Sequence, residues 1–248
     1  MSGFIRSVTL DREGVDGGRY PFSIPALRRL ETLALDARVT FLVGENGSGK
    51  STLIEAIAVA AGFNAEGGTR NMTVSTRASH SDLHERLRLV REPRSPRDGY
   101  FLRAESFFNV ATHIEELDAG PVGGRPIIES YGGVSLHEQS HGESFLSLVL
   151  NRFGGRGLYI LDEPEAALSL RGQLALMRRM HDLIAEESQF IVSTHSPVLL
   201  GYPNALIYAL TESGIERTPY EATEQYELTR SFLDDRERFL RHLFADDD

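Results

Sequence analysis

The 248-residue sequence predicts an α/β fold, a mixed sheet flanked by helices, and three observations predict it. Short apolar runs that suit buried strands recur along the chain: VTFLV at 39–43, GLYILD at 157–162 and QFIV at 189–192. Stretches with helical composition or spacing lie between them, which points to parallel strands joined by helical crossovers. The glycine-rich GENGSGKS, 44–51, falls where the first of these strands gives way to the first helix.

In chain order, Phe4 to Leu10 alternates as a strand and Val39 to Val43 reads as a buried one. After Lys50, STLIEAIAVAAG carries Leu53, Ile57 and Ala60 at helical spacing and stops at Gly62, a helix terminator. Residues 64–98 lose this regularity apart from SDLHERLRLV, where Ser81 is placed to cap a short helix, and 64–135 as a whole reads as a small inserted helical or lid segment. Within it a strand is expected near Tyr100 to Arg103, then a helical pattern through Phe107, Val110, Ala111, Ile114 and Leu117, then a glycine- and proline-containing loop over 118–135. A helix at 143–153 leads into GLYILDEP, and a helix at roughly 170–186 leads into QFIVSTHSP. Leu206 to Leu210 and Ile215 to Tyr220 make a further strand pair about Ser213 and Gly214. A C-terminal helix over 224–244 precedes an acidic tail, 245–248, expected to be disordered. All of this is expected within one domain spanning 1–248.

Composition narrows the classes. No run approaches the roughly 18 to 20 apolar residues of a membrane span, so no membrane insertion is expected. The N-terminus shows no signal-peptide pattern and the chain has no cysteine, which excludes disulfide or thiolate chemistry and makes the cytoplasm the expected location. A formal charge of −10 argues against a uniformly nucleic-acid-binding surface. That charge leaves room for one local basic strip, which the arginines at 86, 88, 91, 94 and 97 form, but the interleaved Glu85 and Glu92 and the prolines at 93 and 96 favour a solvated surface segment.

GENGSGKS satisfies G-x-x-x-x-G-K-[ST] between a strand and a helix, the context that makes it a phosphate loop rather than a plain turn. Backbone N–H groups turned inward by the glycines and the positive end of the helix would hold a polyphosphate. The candidate nucleotide-binding set is Gly44, Glu45, Asn46, Gly47, Ser48, Gly49, Lys50, Ser51 and Thr52. Lys50 would bridge the β- and γ-phosphates, and the Ser51 hydroxyl would coordinate Mg²⁺. Asp162 emerges from an apolar strand, where a carboxylate is costly unless a cation faces it, and a phosphate-bound Mg²⁺ is such a cation. Glu163, one residue later, is placed to polarise an attacking water. Two acidic residues at a strand end before a Pro-led helix also occur without chemistry, and the pair alone leaves both readings open.

QSHGES, 139–144, lies before a helix and between the phosphate loop and the DEP strand. Here the chain resembles the ATP-binding-cassette (ABC) ATPase superfamily, whose P-loop NTPase domains carry a signature LSGGQ or LSGGE: Ser140, Gly142 and Glu143 match it, while Gln139 and His141 depart from it. His195 in IVSTHSP resembles the family's switch histidine. EPEAALS, with YFLRAESFFNVAT and SLHEQSHGES, resembles the SMC, RecF and OLD group and within it a small branch without coiled coils, described only as predicted ATPases. The resemblance implies an ATPase that hydrolyses ATP with Mg²⁺. It also implies an ATP-gated head-to-tail homodimer in which Ser140, Gly142 and Glu143 of one copy face the nucleotide of the other. His195 would sense or orient the γ-phosphate. Glu105 stands where the family often has its Q-loop glutamine, and a carboxylate there would meet Mg²⁺ or its water. DNA or a separate effector protein are the partners the group suggests, with a role in DNA-related or defence-related processes; energising a membrane transporter is the competing class.

HEQSH, 137–141, literally matches H-E-x-x-H, but it follows a Gly-Gly loop, overlaps the signature and has no evident third ligand. His80, His84 and His113 read as surface or subdomain histidines. Tyr20 and Phe22 lie where some ABC ATPases stack adenine, although packing beside Pro21 is the plainer reading. Phe107 and Phe108 read as core.

Overall fold

A computed structural model of the chain describes residues 3–35, 37–70, 81–105, 107, 112, 128, 129, 133, 135 and 139–245. The alternating segment near the N-terminus is strand β1 (Ile5–Leu10), with Ile5, Val8 and Leu10 turned inward. It is the middle strand of an antiparallel three-stranded sheet, between β2 (Thr32–Ala34) and β4 (Leu87–Arg91). Three strands precede the glycine loop where two were expected, because β2 lies between β1 and the strand Val39–Gly44, together with a short helix α1 (Pro25–Arg28) that begins on its proline. β2 has only Leu33 facing inward, too short a pattern to read from sequence. The helix expected after Ser81 is a single 3₁₀ turn, Asp82–Arg86, and the Ser81 side chain makes no capping bond to it. LRLVR then turns extended because β1 offers it an antiparallel ladder, Val8 opposite Leu89 and Leu10 opposite Leu87, with a register shift between Ile5 and Ser7.

The larger sheet has six strands in the order β5 (Asp98–Arg103), β6 (Gly157–Asp162), β7 (Gln189–Ser193), β3 (Val39–Gly44), β8 (Leu206–Thr211), β9 (Gly214–Arg217). All neighbours are parallel except β8 and β9, so the sheet is mixed. Every residue of β6 and β7 is buried, as the continuous apolar runs require of strands covered on both faces. Helix α2 (Lys50–Ala60) and the smaller sheet cover one face through Leu53, Ile54 and Ile57. Helices α3 (His141–Arg152) and α4 (Leu170–Ala185) cover the other through Phe145, Leu148, Leu176 and Met180. A four-residue helix, α5 (Pro197–Leu200), follows β7. Gly62, at φ +96°, lies just past α2.

Of the segment 64–135, residues 87–91 and 98–103 are strands, one in each sheet, and a bridge pairs Gly68 with Phe101. The helical pattern expected from 107 to 117 lies almost wholly outside the described residues, as do His80, His113 and Phe108. Phe107 is buried, its ring 5.7 Å from Phe145 and 5.9 Å from the imidazole of His141. The C-terminal segment expected as one helix is two, α6 (Glu224–Asp234) and α7 (Arg236–Leu243). Asp235 breaks them at φ −149°, ψ 79°, because its carboxylate accepts the Arg238 N–H and caps the second helix instead of continuing the first.

One polar latch ties the α3 end of this scaffold to the sheet. The Asp98 carboxylate accepts from Tyr159 Oη at 2.7 Å, Arg152 at 2.9 Å and the Gly154 N–H at 3.0 Å. Burial alone would raise the Asp98 carboxyl, but these donors outweigh it and hold it below its usual range. A carboxyl lowered in the folded state contributes stability above its ordinary value of 3.8 that is lost as pH falls through its lowered value. Asp98→Asn is expected to cost on the order of 1–3 kcal/mol at neutral pH. In urea titrations at several pH values, its gap to the wild type should narrow as pH drops below 3.8; a pH-independent gap would contradict the account.

Candidate functional site

The parallel register gathers the carboxyl ends of four strands: Arg103 pairs with Asp162, Asp162 with Ser193, and Leu42 with Ser193. Binding clefts of open α/β sheets form at such edges. β3 runs straight into the glycine loop, and α2 starts at Lys50 immediately after it. Two glycines are required by space as well as by backbone angle. A Cβ on Gly44 (φ +150°) would sit 2.5 Å from the Leu210 carbonyl, and one on Gly49 (φ +98°) would sit 2.9 Å from Ile24. The tip, Glu45 to Gly47, is exposed, while Lys50 is only 4% exposed. The Lys50 ammonium donates to the Gly44 and Glu45 carbonyls, both at 2.9 Å, and so braces the loop as an open ring. Burial pulls its pKa down; Glu163, Asp162 and Glu165 pull the other way.

Asp162, 6% exposed, accepts from Ser193 Oγ at 2.5 Å and from the Ser51 hydroxyl. Burial raises its carboxyl above the usual range despite these donors and the Arg103 guanidinium, whose Nε lies 3.5 Å away. A buried carboxylate meeting a hydroxyl is a hard oxygen donor set that suits Mg²⁺, and a dication there would relieve the desolvation that burial imposes. Among the described residues no group of three or more His, Asp or Glu side chains converges to hold a metal ion.

Glu163 follows in the left-handed region (φ 48°, ψ 53°), which costs a non-glycine residue about 1 kcal/mol or more and is found where a side chain must be aimed. Its N–H donates to the Ser193 carbonyl at 3.1 Å, which fixes the turn. Glu163 Oε1 lies 3.5 Å from His195 Nε2, close enough for electrostatic contact but long for a hydrogen bond, and that nitrogen makes none in the structure. His195 is held from behind: its N–H donates to Glu165 Oε1 at 2.5 Å.

Ser51, Ala104, Glu105, His141, Asp162 and Glu163 line a cleft of about 160 Å³. Glu105 stands at its mouth, its side chain 89% exposed, with Arg103 at 3.9 Å. Ser140 is the N-cap of α3 and forms a capping box with Glu143: Ser140 Oγ and N–H both donate to Glu143 Oε2, at 2.5 and 3.0 Å, and the Glu143 N–H donates back to Ser140 Oγ at 3.4 Å. Gly142 allows this helix start to press against the turn after β6, since a Cβ there would lie 3.0 Å from the Ala167 carbonyl. Among the described residues no hydrogen bond joins Ser140 or Glu143 to the glycine loop of the same chain. His137 and Glu138 of the HEQSH pentapeptide lie outside the described residues. His84 bonds locally to the Ser81 carbonyl.

Phe22 is buried in the core, as packing beside Pro21 suggested, whereas Tyr20 is 60% exposed with its hydroxyl 3.3 Å from Thr52 Oγ1. Four participants were not singled out from the sequence. Ser193 and Glu165 become visible only through the strand register. Gln173 accepts from Ser196 Oγ at 2.6 Å and steadies the turn after His195. Arg103 did carry a signal, a charge emerging from the apolar run YFL, the same sign that marked Asp162.

Arg103 links three carboxylates: Glu55 at 2.7 Å, Asp162 at 3.5 Å and Glu105 at 3.9 Å. Arg103→Met leaves Glu55 and Asp162 largely buried without their cation and is expected to destabilise the fold by on the order of 3 kcal/mol. Thermal melting without nucleotide checks this; an unchanged midpoint would contradict it.

Residues 22–99 match a family model described as “AAA domain”, and residues 128–201 match one described as “AAA domain, putative AbiEii toxin, Type IV TA system”. The chain is 30% identical over 195 residues to the “Cytochrome c biogenesis ATP-binding export protein CcmA” of Rhodopseudomonas palustris, an alignment covering 74% of this chain and 88% of that protein. It is 29% identical over 184 residues to a “Putative ABC transporter ATP-binding protein” of Streptomyces avermitilis, covering 69% of this chain but spanning only 31% of that protein's length. Among solved structures, an ATP-binding cassette of an ABC transporter superposes with a TM-score of 0.52 at 15% identity, over 98% of this chain and 99% of the other.

Proposed function

Because the chain belongs to the ABC-class ATPases, we propose that it binds and hydrolyses ATP as an ATP-gated homodimer of the SMC-like kind. The observation that carries this is the convergence, at one edge of the sheet, of the braced loop at Lys50, the Ser51–Asp162 oxygen pair and the Glu163–His195 pair. The triphosphate would lie in the ring of N–H groups from 44 to 51 at the start of α2, with Lys50 moving from the loop carbonyls to the β- and γ-phosphates. Ser51 and Asp162 would hold Mg²⁺, which supplies charge neutralisation on the phosphate oxygens. Glu105, at the cleft mouth, would reach its water shell. Glu163, pre-aimed by its turn, orients and deprotonates the attacking water, and His195 faces the same point and reads the γ-phosphate. The exposed Tyr20 ring beside Thr52 offers a platform for the base.

The second half of the site comes from another copy. Ser140, Gly142 and Glu143 stand at the start of the 12-residue helix α3, whose positive end suits a γ-phosphate, and among the described residues no hydrogen bond ties them to their own loop. Two nucleotides would close the loop of each chain onto the α3 start of the other, and hydrolysis would open these two faces again. The EPEAALS sequence favours a cytoplasmic switch acting on DNA or on an effector chain. The transporter names of the relatives favour a second role, energising a membrane partner, which co-purification with an integral membrane protein would reveal. Among the described residues no helix is long and apolar enough to cross a membrane. Phosphate release from ATP that requires Mg²⁺ is the expected activity; release no greater than that of a Lys50→Ala control would overturn it.

A further inference from the structure

The C-terminal helices α6 and α7 contain no buried residue, although Leu228, Phe232, Leu233, Leu243 and Phe244 are all among them or at their end. Leu233 and Phe244 are each 73% exposed. The pair is nevertheless fixed to the body rather than trailing from it. Thr223 Oγ1 donates to the Tyr220 carbonyl at 2.7 Å, Tyr220 Oη donates to the Pro197 carbonyl at 2.9 Å, and the Tyr220 and Tyr226 rings lie 4.7 Å apart. The edge-on contact of Phe232 with Phe239, centroids 5.6 Å apart, folds the two helices into an elbow. A hollow of about 680 Å³ in that elbow is lined by Phe239 and Leu243, with Asp234, Asp235 and Arg238 among its polar residues.

Exposed apolar surface on this scale marks a partner site, and the charges indicate which partner. Helix α6 carries three carboxylates, Glu224, Glu227 and Asp234, against one arginine. Helix α7 carries three arginines, 236, 238 and 241, against one carboxylate. Among the described residues no ion pair engages Glu224, Glu227, Arg236, Arg238 or Arg241. A surface with opposite charges on its two limbs, apolar knobs and an apolar-lined hollow can satisfy itself across a two-fold axis, where each limb meets the other limb of its mate. We propose that the α6–α7 elbow is a self-association surface occupied by the same elbow of a second copy of this chain, forming a four-helix cluster independent of nucleotide. Leu228, Glu224 and Gln225 also line a depression with His195 and the Gly44–Asn46 stretch, so the paired elbows would stand beside the nucleotide loops and keep two copies together between rounds of ATP binding.

The test is the solution mass of the full chain, without nucleotide, by light scattering, for the wild type and for Leu233→Asp combined with Phe244→Asp. The wild type is expected at the mass of two chains and the variant at that of one, with unchanged melting temperature and unchanged binding of a fluorescent ATP analogue. Should the double variant melt early, Arg238→Glu, an exposed charge reversal, replaces it with the same expectation. A wild type at one-chain mass at the highest soluble concentration overturns the proposal, as does a variant that keeps the two-chain mass. One-chain protein that binds phosphatidylserine vesicles through the elbow also overturns it, with a lipid surface in place of the second copy. Because nucleotide is absent from the mass measurement, its outcome is independent of the ATPase assignment, and the analogue-binding control reports on that assignment separately.

Discussion

Lys50→Ala is expected to abolish measurable ATP binding. The ammonium is 4% exposed and braces the loop through the Gly44 and Glu45 carbonyls, so its removal takes away the loop's internal strut together with the cation proposed to meet the β- and γ-phosphates. Hydrogen bonds to charged groups are each worth about 1.5–3 kcal/mol, and losing them weakens binding by on the order of 100-fold or more. Titration of a fluorescent ATP analogue checks this, and a dissociation constant within a few-fold of wild type would contradict the role given to Lys50. Any loss of fold would appear in the melting curve, where only a modest change is expected: Asp162 retains Ser193, Ser51 and Arg103 as partners.

Glu163→Gln has the opposite profile. The amide keeps the shape and the turn, whose N–H bonds to Ser193 are made by the backbone, but it cannot accept a proton from water. ATP binding is expected to remain near wild type while turnover falls by on the order of 10²–10⁴-fold. Steady-state phosphate release and analogue binding on the same preparation separate the two effects. Loss of binding together with turnover would reassign Glu163 to holding nucleotide or metal, and wild-type turnover would remove it from the chemistry.

The elements that position this site were legible because each has a strong local cause. β3, β6 and β7 are continuous apolar runs buried on both faces, and α2 begins where the glycine loop must release the chain. The elements that escaped depend on distant partners. β4 is extended because β1, separated from it in sequence by β2, β3 and α2, offers it a ladder, and its charged alternation LRLVR is equally compatible with a helix. Asp235 stops α6 through a capping bond that a helical apolar stripe hides. The same distinction divides the site. The phosphate loop, Asp162 and Glu163 announce themselves in short motifs, whereas the Arg103–Asp162 and Asp162–Ser193 contacts arise from the register of parallel strands that no local pattern encodes. Tyr20 and Phe22, two residues apart, end in opposite environments for the same reason: Phe22 meets the core through α1, and Tyr20 reaches out to Thr52.

The proposed composite site between two chains is tested most directly by complementation. Lys50→Ala has a disabled loop and an intact α3 start; Ser140→Arg has an intact loop and a blocked α3 start. Each variant alone is expected to be nearly inactive, and an equimolar mixture, allowed to exchange subunits, to regain a substantial fraction of wild-type phosphate release, because one of the two composite sites of each mixed pair is whole. A mixture no more active than the two variants apart, or a Ser140→Arg protein with wild-type turnover by itself, would contradict a site shared between copies and leave the chemistry to the single chain.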